Sequence, residues 1–161
     1  MNQYKILFVC MGNICRSPAG EAVLRKMVED EGLQDQILID SAGTIGFHTG
    51  NPPDRRMHKA AANRGIRTGG KARQVQPRDL DEFDRILAMD DENYDDLSHL
   101  AANPTQLARV KRFCEYCQEH PEHHQVPDPY YGGDAGFELV LDLLEDGCQQ
   151  LLKEAKEALG E

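Results

Sequence analysis

The sequence is short of positive charge: it carries 18 Lys and Arg residues against 28 Asp and Glu residues, a formal net charge of −10. A surface with this balance repels the phosphates of nucleic acids and the headgroups of anionic membranes. The chain also lacks an apolar stretch of the roughly 20 residues that a membrane span requires. The composition therefore argues against nucleic acid and membranes as partners.

A secretion pattern is lacking as well, because residues 1–5 are not a charged segment followed by a long apolar run. The five cysteines are an odd number, and nothing in the sequence indicates export. These features predict free thiols in a reducing cytoplasm. Internal repeats, linkers and low-complexity segments are absent too, so we expect a single domain spanning residues 1–161.

The stretch with the most distinctive chemistry covers residues 6–18, with the sequence ILFVCMGNICRSP. Its apolar run at 6–9 is typical of a strand buried on both faces. Ser17 and Pro18 are typical of a helix start, with Ser17 as the N-cap and Pro18 in the first helical position. A loop that enters a helix N-terminus presents unpaired N–H groups and the positive end of the helix dipole. The sequence therefore predicts a phosphate-binding loop between a first strand and a first helix.

The side chains of this loop suit nucleophilic chemistry on a phosphate. Cys10 enters the loop from the strand, where a helix N-terminus and an arginine favour the thiolate form of a cysteine. Gly12 allows a tight backbone turn, and Asn13 tolerates unusual φ and ψ angles while its amide holds the loop. Arg16 offers a planar fork that matches two phosphate oxygens. Cys10 alone could be a buried structural cysteine, but its neighbours favour the nucleophile.

The segment from Val9-Cys10 through Arg16-Ser17-Pro18 resembles the signature of the low-molecular-weight protein tyrosine phosphatases. The segment Asp128-Pro129-Tyr130-Tyr131 is similar to a loop of the same family, and the resemblance spans nearly the whole chain. It implies hydrolysis of phosphotyrosine in proteins, and of small aryl phosphates, through a phospho-cysteine intermediate, with acid phosphatase activity. It also implies a reaction without metal or organic cofactor, inhibition by phosphate-like oxyanions, a phosphotyrosine protein as substrate and an autophosphorylating tyrosine kinase as a further partner.

The resemblance assigns catalytic roles to Cys10 as nucleophile, Arg16 as phosphate ligand and Asp128 as general acid and base. Breaking a phosphate ester needs a proton for the leaving oxygen and then a base that activates water. Pro129 favours an extended Asp128 on a projecting loop, although an ordinary Asp-Pro turn is the alternative. The residues expected to contact the phosphate or the substrate's aromatic ring are Met11, Gly12, Asn13, Ile14, Cys15, Ser17, Phe47, Tyr130 and Tyr131, with Ser41 in support.

Polar side chains are expected to hold the loop in shape. The resemblance implies that Asn13 and Ser41 keep the loop in its strained conformation, while the Ser17 hydroxyl donates to the Cys10 thiolate. This chain has Gly69-Gly70 in a region where the family often carries a histidine. The glycines are expected to change the hydrogen bonds behind Asn13. The expected effect is on the rigidity of the loop more than on its chemistry.

Two alternatives concern the other cysteines. Cys15 is either a small apolar contact or, as the resemblance favours, a second thiol that forms a reversible disulfide with oxidised Cys10. Zinc-type ligands occur close together at Cys114, Cys117, His120 and His123. Because that span is very short and the usual two-knuckle spacing is missing, incidental thiols and solvated histidines are the preferred interpretation, and no metal site is expected.

Apolar runs of strand length alternate along the chain with segments of helical periodicity. Strands are expected at 6–9, 37–39, 86–89 and 110–113, and helices from 18 to about 32, at 54–65, at 92–101 and, as a long amphipathic helix, at 137–159. A polar loop is expected at 114–133. The alternation predicts an α/β fold with one four-stranded parallel sheet, helices on both faces and ligands at the carboxyl ends of its strands. The resemblance implies the Rossmann-like, phosphotyrosine phosphatase I type of this fold.

Two other functions compete with a phosphatase. An arsenate reductase of this fold uses a similar loop but needs two shuttle cysteines near the third strand, and residues 80–100 contain none. Cys114 and Cys117 are the only substitutes. A non-catalytic phosphate-binding module would have lost the nucleophile, the arginine or the acid, and all three are present.

Overall fold

The structure is a computed structural model that describes residues 2–129 and 133–160. Its strands are β1 (Tyr4–Cys10), β2 (Ile37–Gly43), β3 (Arg85–Ala88) and β4 (Val110–Arg112). Its α-helices are α1 (Arg16–Asp30), α2 (Arg55–Ala62), α3 (Asp79–Glu82), α4 (Asp91–Leu100), α5 (Pro104–Arg109) and α6 (Asp134–Leu159), and a 3₁₀ helix covers Phe113–Tyr116. None of the helices in these ranges has the length and apolar character needed to cross a membrane.

The strands form one parallel sheet in the order β2-β1-β3-β4. Side chains of β1 alternate between its two faces, so Phe8 and Cys10 pack with α1, α2 and α6, while Leu7 and Val9 pack with α3 and α4. Because helices cover both faces, the run 6–9 is apolar at every position and fully buried. The predicted single-domain α/β fold with a four-stranded parallel sheet is confirmed.

The sheet places a ligand crevice at the carboxyl end of β1. The chain moves from β1 to β2 on one side and then returns to β3 on the other, so the strand order reverses at β1. Open parallel sheets bind ligands at such a reversal. Cys10 ends β1 at this point and lies opposite Gly43 at the end of β2.

The fold differs from the sequence-based expectation at short elements. Helices α3 and α5 were not predicted, because four and six residues are too few to show a helical period. The expected polar loop at 114–133 instead starts within the 3₁₀ helix and contains the fully buried Val126. Its backbone N–H donates to the carbonyl of Met89, which ties this segment to the end of β3.

Candidate active site

The sulfur of Cys10 lies at the centre of the loop between β1 and α1. Its side chain is buried, with 3% of the residue exposed. The backbone N–H groups of Asn13 and Ser17 approach Sγ at 3.3 and 3.4 Å. Two N–H donors at the start of a helix stabilise negative charge on that sulfur and on any oxyanion beside it.

Asn13 locks the loop in a left-handed backbone conformation, with φ of 57°. Its Nδ2 donates to Ser17 Oγ at 2.8 Å and to Ser41 Oγ at 2.9 Å, while its Oδ1 accepts the Arg73 backbone N–H at 2.9 Å. Asparagine is among the few side chains that adopt this conformation readily. Both amide hydrogens and the amide oxygen are therefore used to fix the shape of the loop.

Ser17 does not cap the helix, contrary to the prediction. Helix α1 begins at Arg16, and the residue before it, Cys15, makes no side-chain cap. The Ser17 hydroxyl instead lies 3.0 Å from Cys10 Sγ. Because Ser17 Oγ accepts from Asn13, its own hydrogen can be donated to the sulfur or to the Ala42 carbonyl, which is farther away at 3.4 Å. The first N–H groups of α1 consequently face the anion site and not a side-chain cap.

The hydrogen bonds behind Asn13 are complete even though glycines occupy 69–70. Ser41 Oγ donates to Glu21 Oε1 at 2.6 Å, so a carboxylate of α1 ends the chain of hydrogen bonds that starts at Asn13. Gly69 and Gly70 line a small cavity of about 50 Å³ beside these groups. Glu21 had no signal in the sequence, because its spacing is that of an ordinary exposed helix residue.

Gly43 is a second residue that sequence reasoning missed. A Cβ atom at this position would lie 2.7 Å from the Met11 carbonyl oxygen and 3.1 Å from the Asn13 nitrogen. Both contacts are with backbone atoms of the phosphate-binding loop. Unlike the end of a flexible side chain, these atoms cannot move aside unless the loop itself shifts. The absence of a side chain at 43 thus lets the end of β2 support the loop directly.

We expect Gly43→Ala to lower kcat/KM for an aryl phosphate about 10²-fold, because the added methyl group displaces the loop, and displacements near 1 Å cost about that much. Overpacking is expected to cost about 1–3 kcal/mol of stability as well. Steady-state kinetics with thermal unfolding checks both. Gly69→Ala is the matched control, since a Cβ there meets nothing within 4 Å. Parental kcat/KM in Gly43→Ala would contradict this role of Gly43.

Arg16 is a buried cation held beside the sulfur. Its Nη1 donates to Asp90 Oδ2 at 2.7 Å and to the Val126 carbonyl at 3.0 Å, and its Nη2 lies 3.8 Å from Asp128 Oδ2. Burial lowers the pKa of Arg16, but the negative charges of Cys10, Asp90 and Asp128 outweigh that effect and raise the pKa above its ordinary value. The guanidinium therefore remains charged and oriented at the edge of the loop.

Asp90 uses its two oxygens for different purposes. Oδ1 accepts the Asn93 N–H at 2.8 Å as the N-cap of α4, and Oδ2 binds Arg16.

We expect Asp90→Asn to lower kcat/KM roughly tenfold, because one oxygen cannot serve both partners and the new NH₂ group faces a donor. Steady-state kinetics with an aryl phosphate, together with the inhibition constant of inorganic phosphate, checks this. Asp90→Ala, which also loses the cap at a cost of about 1 kcal/mol, should be less stable than Asp90→Asn. Equal activity in Asp90→Asn and the parent would refute the positioning role.

A cavity of about 220 Å³ opens in front of the sulfur. It is lined by Cys10, Met11, Gly12, Ile14, Cys15, Arg16, Phe47, His48 and Asp128. The structure therefore brings together most of the residues named from the sequence, whereas Asn13, Ser17 and Ser41 do not line the cavity. Tyr130 and Tyr131 lie outside the described residues. His48 also lines the cavity, and its position next to Phe47 in the sequence was the only available signal.

Exposed apolar side chains form the rim of this cavity. Phe47 is 82% exposed and Met11 is 42% exposed, which is unusual for apolar residues of this size. The Phe47 ring meets His48 edge-on with centroids 4.9 Å apart. Apolar rims of this kind mark contact surfaces for a ligand or partner, here for a group attached to the bound anion.

Cys15 lies in the wall of the cavity and is 5% exposed. Burial raises the pKa of its thiol, and the nearby negative charges of Cys10, Asp54 and Asp128 raise it further, so Cys15 is protonated at neutral pH. Cys15 and Cys10 are both free thiols. Cys15 is therefore not a competing nucleophile in its thiol form.

The suspected zinc ligands do not converge on an ion. Within residues 2–129 and 133–160, no group of three or more His, Cys, Asp or Glu side chains is placed to hold a metal. His120 and His123 instead each lie 3.8 Å from a carboxylate oxygen of Glu122. Cys114 and Cys117 contact one another, as described below.

A thiol in an anion-binding loop, with a buried arginine beside it and a carboxyl group at the rim, is typical of cysteine-dependent phosphatases. Comparison with known proteins narrows this class. Residues 5–160 match the family model described as low molecular weight phosphotyrosine protein phosphatase. The chain belongs to this family, whose function is the hydrolysis of phosphotyrosine, and it is a protein-tyrosine phosphatase.

Individual relatives agree with the family match. One relative is slr0328 of Synechocystis sp., which is assigned by name to the low molecular weight protein-tyrosine-phosphatases. It is 51% identical over 150 residues, and the match covers 92% of this chain and 94% of the slr0328 chain. YfkJ of Bacillus subtilis, a low molecular weight protein-tyrosine-phosphatase, is 45% identical over 148 residues, with 91% and 92% covered. The crystal structure of a protein tyrosine phosphatase from Entamoeba histolytica superposes with a TM-score of 0.93 at 39% identity, covering 98% of this chain and 99% of that one.

Proposed function

We propose that Cys10, Arg16 and Asp128 carry out phosphotyrosine hydrolysis in two steps. Cys10 Sγ attacks phosphorus, so that the S–P bond forms while the bond to the tyrosine oxygen breaks, and Asp128 gives that oxygen its proton. Water then attacks the phospho-cysteine, its proton passes to Asp128, and phosphate leaves as the thiolate reforms. Arg16 and the N–H groups of the loop stabilise the phosphoryl oxygens in both steps.

The observation that carries this proposal is the surrounding of the Cys10 sulfur. Three donors from one loop, two N–H groups and the Ser17 hydroxyl, lie within 3.4 Å of Sγ. Such donors stabilise the thiolate before attack, and they stabilise the same sulfur as a leaving group in the second step. Asp128 lines the same cavity, so an acid is available on the side from which substrate enters.

The described part of the cavity suits an aryl phosphate. Gly12, Ile14 and Cys15 line its interior, while Met11 and Phe47 lie at its rim. A phenyl ring between these surfaces holds its phosphate at the depth of Cys10, and a shorter phosphoserine side chain leaves its phosphorus out of reach. We further assign substrate contacts to Tyr130 and Tyr131, on the basis of the family loop that they resemble.

Several broader assignments belong to the same proposal. Phosphotyrosine proteins, among them an autophosphorylating tyrosine kinase, are the proposed partners, and the proposed location is the cytoplasm. We also propose acid phosphatase activity, one domain over residues 1–161 and inhibition by oxyanions. The Entamoeba histolytica relative, which holds Hepes in its active site, supports the last point because Hepes ends in a sulfonate.

The intermediate provides the test of this mechanism. The protein is mixed with p-nitrophenyl phosphate in EDTA, quenched in acid during turnover and digested, and the peptides are analysed by mass spectrometry. We expect a phosphoryl group on the peptide that contains Cys10, with full activity in EDTA. A phosphoryl group on another residue, or activity that requires an added metal ion, would refute the proposed chemistry.

We expect Phe47→Ala to raise KM for a phosphotyrosine peptide about tenfold while kcat changes little, because the ring provides binding contact and takes no part in bond breaking. Phe47→Tyr, which keeps a flat ring, is the matched control and should retain the parental KM. Steady-state kinetics of the three proteins decides the matter. An unchanged KM in Phe47→Ala would show that the ring does not contact the substrate.

A further inference from the structure

Two thiols outside the active site lie in contact with one another. Cys114 belongs to the 3₁₀ helix, and Cys117 directly follows it as the C-terminal cap residue. Each thiol affects the pKa of the other, so the two groups are neighbours, and neither cysteine is in a disulfide. The phosphatase mechanism uses neither of them.

The backbone holds these thiols at a spacing that suits a disulfide. The Cys117 N–H donates to the Cys114 carbonyl at 3.1 Å, which closes an i to i+3 turn. In a 3₁₀ helix the side chains of residues i and i+3 eclipse, and three residues rise about 6 Å. Disulfides form between residues whose Cα atoms are about 4.4–6.8 Å apart. The turn therefore holds the two Cα atoms at a separation that a disulfide can span.

The surrounding structure fixes the segment that carries them. Phe113 packs so closely on α6 that a Cβ at Gly147 would lie 2.4 Å from its ring. The Asp146 carboxylate accepts the N–H groups of Gln118 and Glu119, each at 3.0 Å. Contacts on both sides of the pair thus preserve the turn when the thiols change their state.

The chemistry of the pair favours oxidation. Donation of the Cys117 S–H to Cys114 lowers the pKa of the Cys114 thiol, against opposing effects of burial and of the Asp146 charge. The same contact raises the pKa of the Cys117 thiol. Cys117 is half-buried, and its S–H is also placed to donate to the Leu143 carbonyl at 3.4 Å. The pair therefore joins a thiol of lowered pKa to a partner that solvent can reach. Cys148, by contrast, is completely buried, and burial raises the pKa of its thiol.

We infer that Cys114 and Cys117 form a redox-active dithiol, an oxidation site separate from the Cys10 loop, which a peroxide converts into an intramolecular disulfide. One thiolate attacks hydrogen peroxide, so that an S–O bond forms, the O–O bond breaks, and the departing hydroxide takes a proton from solvent to become the first water. The second thiol then attacks the sulfenic sulfur, so that the S–S bond forms, the S–O bond breaks, and the departing hydroxide takes the thiol's proton to become the second water. Two electrons pass from the dithiol to the peroxide, and a reduced thiol restores the pair by exchange.

The test oxidises the whole protein with hydrogen peroxide in saturating inorganic phosphate, which occupies the Cys10 loop and shields its thiols. Remaining thiols are alkylated under denaturing conditions, and the chain is cut after glutamate. Cleavage after Glu115 separates Cys114 from Cys117, and cleavage after Glu145 separates both from Cys148. We expect a crosslink between the peptides of Cys114 and Cys117 that a reductant removes.

Two variants sharpen the outcome. Cys117→Ser keeps a hydroxyl for the Leu143 carbonyl and should lose the crosslink, whereas Cys148→Ser should retain it. The inference is overturned if Cys114 and Cys117 remain reduced, and are therefore alkylated, at a peroxide concentration that oxidises Cys10 in phosphate-free protein. It is also overturned if either cysteine forms a disulfide with Cys148. Shielding of Cys10 by phosphate rests on the proposed function, but the crosslink does not, so the two failures are read separately.

Discussion

Replacing Cys10 with serine is expected to lower phosphotyrosine hydrolysis by a factor on the order of 10⁴ or more, because it removes the atom that bonds to phosphorus. A serine hydroxyl is a far weaker nucleophile than a cysteine thiol in the same place. The remaining loop donors and Arg16 cannot compensate, since they stabilise a transition state that no longer forms. Turnover of a phosphotyrosine peptide by Cys10→Ser and by the parent, measured with EDTA present, checks this.

Binding separates loss of the nucleophile from loss of the loop. Serine is smaller than cysteine and keeps an acceptor for the N–H groups of Asn13 and Ser17, so the phosphate site should survive. Cys10→Ser is therefore expected to unfold at a temperature close to that of the parent and still to bind the phosphotyrosine peptide. Retention of more than about 1% of parental turnover would exclude Cys10 as the only nucleophile.

The parts of this site that the sequence predicts are those that lie together along the chain. Strand, loop and helix follow one another from residue 4 to residue 30, so Cys10 and Arg16 could be assigned by local physics alone. A buried parallel strand needs continuous apolar residues, and a helix N-terminus needs an anion or a cap. Both requirements leave a readable pattern over a few residues.

The parts that the sequence did not predict are made by tertiary contacts. Glu21 and Gly43 support the loop from α1 and β2, and their neighbours in the sequence do not point to it. The contact of Asp90 with Arg16 likewise depends on tertiary structure. Gly43 matters because backbone of the phosphate-binding loop approaches it, and Asp90 because β3 ends beside Arg16. Such roles follow from strand order and register, which residue spacing alone does not determine.

The start of α1 shows how a functional demand overrides a local preference. Serine is favoured as an N-cap, and the sequence therefore predicted that Ser17 would cap the helix. In the structure its hydroxyl faces the Cys10 sulfur and accepts from Asn13, and the helix begins at Arg16 instead. The N–H groups left without a side-chain cap are those that the bound phosphate would satisfy.

Replacing Asp128 is expected to have the second-largest effect, because the same carboxyl group serves in both steps. General acid–base catalysis contributes about 10²–10⁴-fold, and we expect Asp128→Asn to lower kcat for a phosphotyrosine peptide within that range. Asparagine preserves the size of the side chain but cannot transfer the proton. Asp96→Asn, which changes an exposed aspartate on α4, is the control for loss of surface charge.

The dependence on the leaving group shows whether Asp128 acts as the acid. The tyrosine oxygen, with an ordinary pKa of about 10, leaves poorly without a proton, whereas p-nitrophenolate leaves readily on its own. For formation of the phospho-cysteine, reported by kcat/KM, Asp128→Asn should therefore be impaired far more with the phosphotyrosine peptide than with p-nitrophenyl phosphate. Because hydrolysis of the phospho-cysteine is common to both substrates, loss of the base should reduce kcat for both. Equal losses of kcat/KM for the two substrates would mean that Asp128 positions the substrate and that another group donates the proton.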